Sequence, residues 1–250
     1  MSGSAFTHKL YGLIGDFEAR EMRHIEYLGE RLAQSVISGH VVHLYDNGHM
    51  LNHELFNRAG GLALLAQLNI TPPTITNTVV RRHLDMFPLS SSQDHTIDVA
   101  LARFAIERSS MIPGDYLLIG SVSGRSPFIV ELALEARRAG IHTVALTALR
   151  YTQSLPARHP KGKLLYQIAD EIIDIQTEEG DASVHLDGLE ERIAPTSGIM
   201  AAVAMWTLEI ELAQALLKRG VMPTVFRSVN YPDGPERFAA AHQRFTELGY

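Results

Sequence analysis

From residue 41 to residue 220 the chain alternates short runs of branched apolar residues with longer runs of helical period, and few folds accept that pattern. "HVVHLY" (40–45), "GDYLLIGS" (114–121), "IHTVALTA" (141–148) and "EIIDIQ" (171–176) read as strands. "TIDVALARFAIERSSM" (96–111), "PFIVELALEARRAG" (127–140), "KLLYQIAD" (163–170) and "SGIMAAVAMWTLEIELAQALLKRG" (197–220) read as helices. Strands separated by helices cannot form hairpins with one another. They line up in parallel, and the helices cover both faces of the sheet. The expected fold is therefore α/β, a doubly wound parallel sheet in three layers.

Around this core the signals are weaker. Residues 4–38 carry apolar positions at helical spacing, with Gly12, Gly15 and Gly29 as places where the helix would break. "MLNHELFNRA" (50–59) has helical character and Gly60-Gly61 would end it. "LALLAQLNI" (62–70) suits a strand or a short helix equally. Residues 71–95 hold three prolines and a serine run and read as a long excursion with a short helix near 78–86. "ASVHLDGLEERI" (182–193) reads as a hairpin about Asp187-Gly188. One domain is expected: N-terminal helices over 1–40, an α/β core over 41–220 and a tail over 221–250.

Charge and composition narrow the function. With 28 acidic against 22 basic residues the net charge is -6, which argues against a general nucleic-acid binder or a membrane-surface protein. The absence of cysteine excludes disulfides, thiolate catalysis and Cys-based zinc sites. The first twenty residues lack the basic and apolar regions of a signal peptide. No apolar run approaches the ~18 residues of a membrane span. A cytoplasmic protein is the expectation.

The chemistry concentrates in "SVSGRS" (121–126), between a strand and a helix. Ser121, Ser123 and Ser126 offer hydroxyls, Gly124 lets a ligand approach the backbone, and the helix that follows points unsatisfied N–H groups and partial positive charge at the loop. Arg125 adds a charge-assisted donor. Together they suit a phosphate; an N-cap serine in a polar turn is the plainer alternative.

"LIGSVSGRSPFIVELALEARRAGIHTVALT" (118–147) resembles the S-x-S-G loop and following unit of sugar isomerase (SIS) domains. "HLYDNGHMLNHELFNRAGGL", "SLPARHPKGKLLYQIADEIID" and "APTSGIMAAVAMWTLEIELAQALLKRG" are similar to other segments of a bacterial branch of that family described as phosphosugar or phosphoheptose isomerases. The resemblance spans roughly residues 5–230. It implies a five-stranded parallel sheet of flavodoxin-like order. It also implies homodimers or higher homo-oligomers, with sites at the C-terminal strand ends and at subunit interfaces. The ligand it implies is a small-molecule sugar phosphate, with no cofactor, nucleic acid or membrane. Ser121, Ser123 and Ser126 would ring the phosphate, Thr147 would add a contact from the next strand end, and Thr196 and Ser197 would donate from a second helix N-terminus.

One loop departs from the family pattern. Where the family commonly reads G-T-G-H-S, this chain has Leu44-Tyr45-Asp46-Asn47-Gly48, with an added negative charge at Asp46. Aldose–ketose isomerisation needs a base that moves a proton between C1 and C2. Glu54 is the candidate base, with His53 beside it, and His159 of "RHPKGK" is a candidate to protonate a ring oxygen. His49 and His53 are four apart, a spacing that suits a metal. Hydrogen-bonded surface histidines are the simpler account, and no metal site is assigned. Glu209 and Glu211 fall within the last long helix, where exposed carboxylates are the commoner outcome. The expected function is a sugar-phosphate isomerase or an amino-sugar-phosphate lyase; the alternative is a non-catalytic sugar-phosphate sensor.

Overall fold

The computed structural model describes residues 2–47, 51, 54–70 and 95–249. β3 (Tyr116–Gly120) shows why the sheet forms: all five of its residues are buried. A strand covered on both faces tolerates no polar alternation, and a parallel arrangement supplies that cover. β1 (Val42–Asp46), β2 (Leu65–Gln67), β4 (His142–Thr147) and β5 (Glu171–Asp174) complete a five-stranded parallel sheet in the order β2-β1-β3-β4-β5. This is the expected flavodoxin-like order. The order reverses between β1 and β3, so their C-terminal ends flank a crevice. Residues 62–70 thus resolve as a short edge strand. Beside it, the described residues of 50–59 form turns and not the expected helix.

Two apolar clusters cover the sheet. Val42, Leu44, Leu118, Val144 and Leu146 face α1 (Ser2–Ile37) and α5 (Ser197–Lys218), while Leu117, Ile119 and Ala145 face α2 (Thr96–Arg108) and α3 (Pro127–Arg138). Alternate residues of one strand therefore serve different helical layers. α1 runs unbroken through its glycines. Gly12 and Gly15 have open space around them, whereas Gly29 sits where α5 crosses, 2.9 Å from an ideal Cβ position to Glu211 Cβ. α5 is long and apolar enough to cross a membrane by length and composition, with mean hydropathy 1.4, contrary to the sequence expectation. Here Met200, Ala204, Leu208, Leu212 and Leu216 are buried in the core shared with α1, which accounts for that composition.

Smaller elements refine the prediction. "TALRYTQS" contains a short α4 (Leu149–Ser154), and "KLLYQIAD" narrows to a 3-10 turn over Leu165–Gln167. The predicted hairpin is present as antiparallel β6 (Ala182–Val184) and β7 (Ile193–Pro195). The tail holds α6 (Gly234–Leu248), which buries Ala241 against Ala63 and Phe226. The excursion over 71–94 lies outside the described residues.

Candidate functional site

The serine-rich loop leaves β3 at the crevice. The Ser121 N–H donates to Leu146 O at 3.0 Å, and its hydroxyl accepts the Gly124 N–H at 3.3 Å. Gly124 takes φ +54°, and a Cβ there would lie 3.2 Å from Leu165 Cβ. Its carbonyl accepts the Leu165 N–H at 2.8 Å, so the turn is pinned from below. Ser121 and Gly124 are buried, while Ser123, Arg125 and Ser126 are partly open. The loop therefore presents some of its polar groups outward on a fixed backbone.

α3 starts at Pro127, and Ser126 at its N-cap makes no side-chain capping bond. The Ser126 carbonyl accepts the Val130 N–H at 3.1 Å, as a regular helix start requires. The first N–H groups of the helix thus have no hydroxyl cap and face the loop. Beside them, the Arg125 Nε is buried and has no hydrogen-bond partner among the described residues. A buried guanidinium N–H without an acceptor is costly, and an anion in the loop would supply one.

Thr147 is fully buried. Its hydroxyl donates to Val122 O at 3.0 Å and lies 3.0 Å from the Thr152 hydroxyl, so it braces the loop from behind and does not face a ligand. Thr196 and Ser197 also differ from expectation. Both backbone N–H groups donate to Asp181 Oδ1, at 3.0 and 2.7 Å, and the Ser197 hydroxyl donates to Asp181 Oδ2 at 2.6 Å. Asp181 caps α5, and that helix start is no longer open to an anion. No local pattern in the sequence signals this cap, because its two halves lie fifteen residues apart across β6 and β7.

The departing loop after β1 is tied down as well. Asp46 is buried, and its Oδ2 accepts the Leu51 N–H at 2.8 Å. The Asn47 N–H donates to Gly120 O at 2.9 Å, which holds this loop against the end of β3. Burial first, and then the Asp46 carboxylate, push the Tyr45 phenol above its ordinary range.

Glu54 follows in the turn segment. One oxygen accepts the Trp206 indole N–H at 3.3 Å, and the other pairs with Arg58 at 2.6 Å. The carboxylate is oriented from α5, yet its side chain remains 35% exposed. His53 and His49 lie outside the described residues. His159 does not join this group. Its ring is buried, Nε2 donates to Glu131 at 2.8 Å, and Nδ1 accepts the Lys161 N–H at 3.2 Å. With both nitrogens used inside the protein, His159 anchors its loop to α3 and is not available to a substrate.

The sequence favours exposure for Glu209 while leaving a place near other elements open, and here it is buried. Its Oε2 accepts the Leu62 N–H at 3.0 Å, and Oε1 has no partner among the described residues. Burial pushes its carboxyl up to about 7, against the lowering effect of that hydrogen bond. Trp206, one turn earlier, packs against Gly61: a Cβ there would lie 3.2 Å from the indole. α5 thus holds the turn at Leu62 through one side chain and Glu54 through another.

Comparison with known proteins agrees with this architecture. A family model described as SIS domain matches residues 5–148. The chain is 30% identical over 218 residues to a UPF0309 protein of Geobacillus thermodenitrificans, covering 86% of this chain and 84% of the relative. It is 30% identical over 230 residues to a UPF0309 protein of Streptomyces coelicolor, covering 91% and 88%. Among solved structures, the phosphoheptose isomerase of Neisseria gonorrhoeae superposes with a TM-score of 0.51 at 14% identity, over 85% of this chain and 95% of that one, a likeness of fold. A switch-point crevice with a serine-glycine loop over an uncapped helix, matched by the family model across more than half of the chain, places this protein in the SIS-domain family.

Proposed function

We propose that the loop over Ser121–Ser126 binds the phosphate of a sugar phosphate and that the chain isomerises that sugar. The observation that carries this reading is the buried Arg125 Nε without an acceptor among the described residues, beside a start of α3 that has no side-chain cap among them. Ser123 and Ser126 supply hydroxyl donors, Gly124 permits the turn, and Ser121 and Thr147 stiffen the backbone behind it. In this reading Glu54 is the base. It takes the proton from C2 of an open-chain aldose and returns it to C1, while the C1 carbonyl oxygen gains a proton and the C2 hydroxyl gives one up to become the ketone. Trp206 positions the carboxylate through its N–H. His53 is the neighbouring candidate for the second proton transfer.

A second reading has support of its own: the buried Asp46 carboxylate beside the end of β3 sets negative charge near the sugar position. A sensor that binds without turnover would tolerate this charge better than an enzyme that builds an enediolate. Both readings share the phosphate site.

The test has two parts. Titration calorimetry with hexose, pentose, heptose and amino-sugar phosphates should detect binding. Ser123→Ala should weaken it by about 1–3 kcal/mol, the range for losing a hydrogen bond to a charged group. Equal affinities for wild type and variant would remove the phosphate assignment. Proton NMR in D2O should then show loss of the C1 or C2 signal, abolished by Glu54→Gln. Binding without exchange would select the sensor.

A further inference from the structure

Outside the crevice, a groove of about 740 Å³ runs between α6, the segment 223–231 and the turn at Ala59-Gly60. Arg227, Arg237 and Arg244 line it, the latter two on one face of α6 at a seven-residue spacing. Asp233 balances part of this charge: Arg227 Nε lies 2.9 Å from one of its oxygens and Arg237 Nε 2.7 Å from the other. Arg227 and Arg237 share this one carboxylate, so the pair keeps a net positive charge in a chain whose net charge is -6. A guanidinium has five N–H donors, and a single Asp occupies few of them. Arg227 also lies 4.7 Å over the Tyr231 ring, which makes a flat wall beside the charges. The Thr224 hydroxyl on the lining is buried and has no partner among the described residues.

The walls are firmly built. The Gly60 N–H donates to Phe226 O, the Phe226 N–H to Gly61 O and the Ala63 N–H to Thr224 O, all within 2.9 Å. Phe226, Phe238 and His242 pack as a ring cluster with centroids about 5 Å apart beneath them. No residue of this groove belongs to the loop over Ser121–Ser126.

We infer that this groove is a second anion site, which takes the phosphate monoester of a molecule with a planar or apolar body. Arg227 and Arg237 hold the phosphate as paired donors, and Tyr231, with the Arg227 guanidinium over its ring, flanks the space for the body. Its volume accommodates a ligand of nucleoside-monophosphate size. The site is independent of the sugar-phosphate reading, because the two share no residue.

Adenosine monophosphate is the probe. Titrated into the full-length Ser123→Ala variant, which weakens the first site, it should bind and bind less tightly as salt is raised. Arg227→Ala/Arg237→Ala should lose at least about tenfold in affinity, the scale of one charge-assisted contact. Both side chains are largely exposed, so circular dichroism should show an unchanged fold; Tyr231→Ala, which leaves every charge in place, should also weaken binding. No binding of adenosine monophosphate at millimolar concentration would overturn the inference. Binding indifferent to the arginine variants would overturn it too, as would binding seen in wild type but lost in Ser123→Ala.

Discussion

Gly124 is the residue on which the loop over Ser121–Ser126 turns. At φ +54° a side chain pays about 1–2 kcal/mol, and a Cβ would press on Leu165. Gly124→Ala should therefore lower stability by about that amount in urea unfolding, and it should weaken sugar-phosphate binding at the same time. Glu209 makes a prediction of the opposite kind. Its folded-state pKa of about 7 lies above the unfolded value, so its contribution is complete below about pH 4.3 and is lost as pH rises to about 7. Gln at this position keeps an acceptor for Leu62 and does not titrate. Between pH 5 and pH 8 the stability of wild type should fall relative to Glu209→Gln by up to about 3 kcal/mol, measured by urea unfolding at each pH. A constant difference across that range would show that Glu209 is not a buried acid. Ser121, Ser123, Gly124, Arg125 and Ser126 stand out in the sequence because all five fall within one six-residue loop. The commitment of Thr147, Thr196, Ser197 and His159 to Val122, Asp181 and Glu131 was not, because each partner comes from another element.

At the scale of elements, the crossing of α1 and α5 depends on one small residue. Gly29 lies against the backbone of α5 near Glu211 and Leu212, and any side chain there forces the helices apart. Gly29→Val should cost about 1–3 kcal/mol, the usual range for overpacking. Gly12→Ala, in the same helix but in open space, should gain up to about 1 kcal/mol from helix propensity. Thermal melts of the two variants should move in opposite directions. Local sequence treats these glycines alike, as breaks in a helical pattern, and only the neighbour across the interface distinguishes them. The same limit explains α6. Its apolar stripe is narrow, and its partners Ala63 and Phe226 sit in a turn and a strap that carry no periodic signal. The central strands are the contrary case: β3 is a continuous buried apolar run, and β4 centres on the apolar Val144, Ala145 and Leu146, a pattern that is readable because burial on both faces favours branched apolar side chains.

For the whole molecule, α5 leaves Ile199, Ile210 and Leu217 exposed at 41%, 63% and 50% on the side away from the core. Such a stripe suits a helix shared between subunits. The chain should sediment at no less than twice its 27.7 kDa mass, and Ile210→Asp with Leu217→Asp should shift it toward that mass. A wild-type monomer at micromolar concentration would refute this. The fold class, the sheet's parallel sense and the place of the serine-glycine loop at the end of a strand were determined by the sequence alone, since they follow from periodicity and from residues adjacent in the chain. The capping of α5 by Asp181, the burial of Glu209, the tethering of Glu54 by Trp206 and the arginine groove beside α6 were decided only by tertiary structure. Each joins groups far apart in the chain. Their hydrogen bonds, desolvation and charge pairing arise when packing closes that distance, and no local pattern records them.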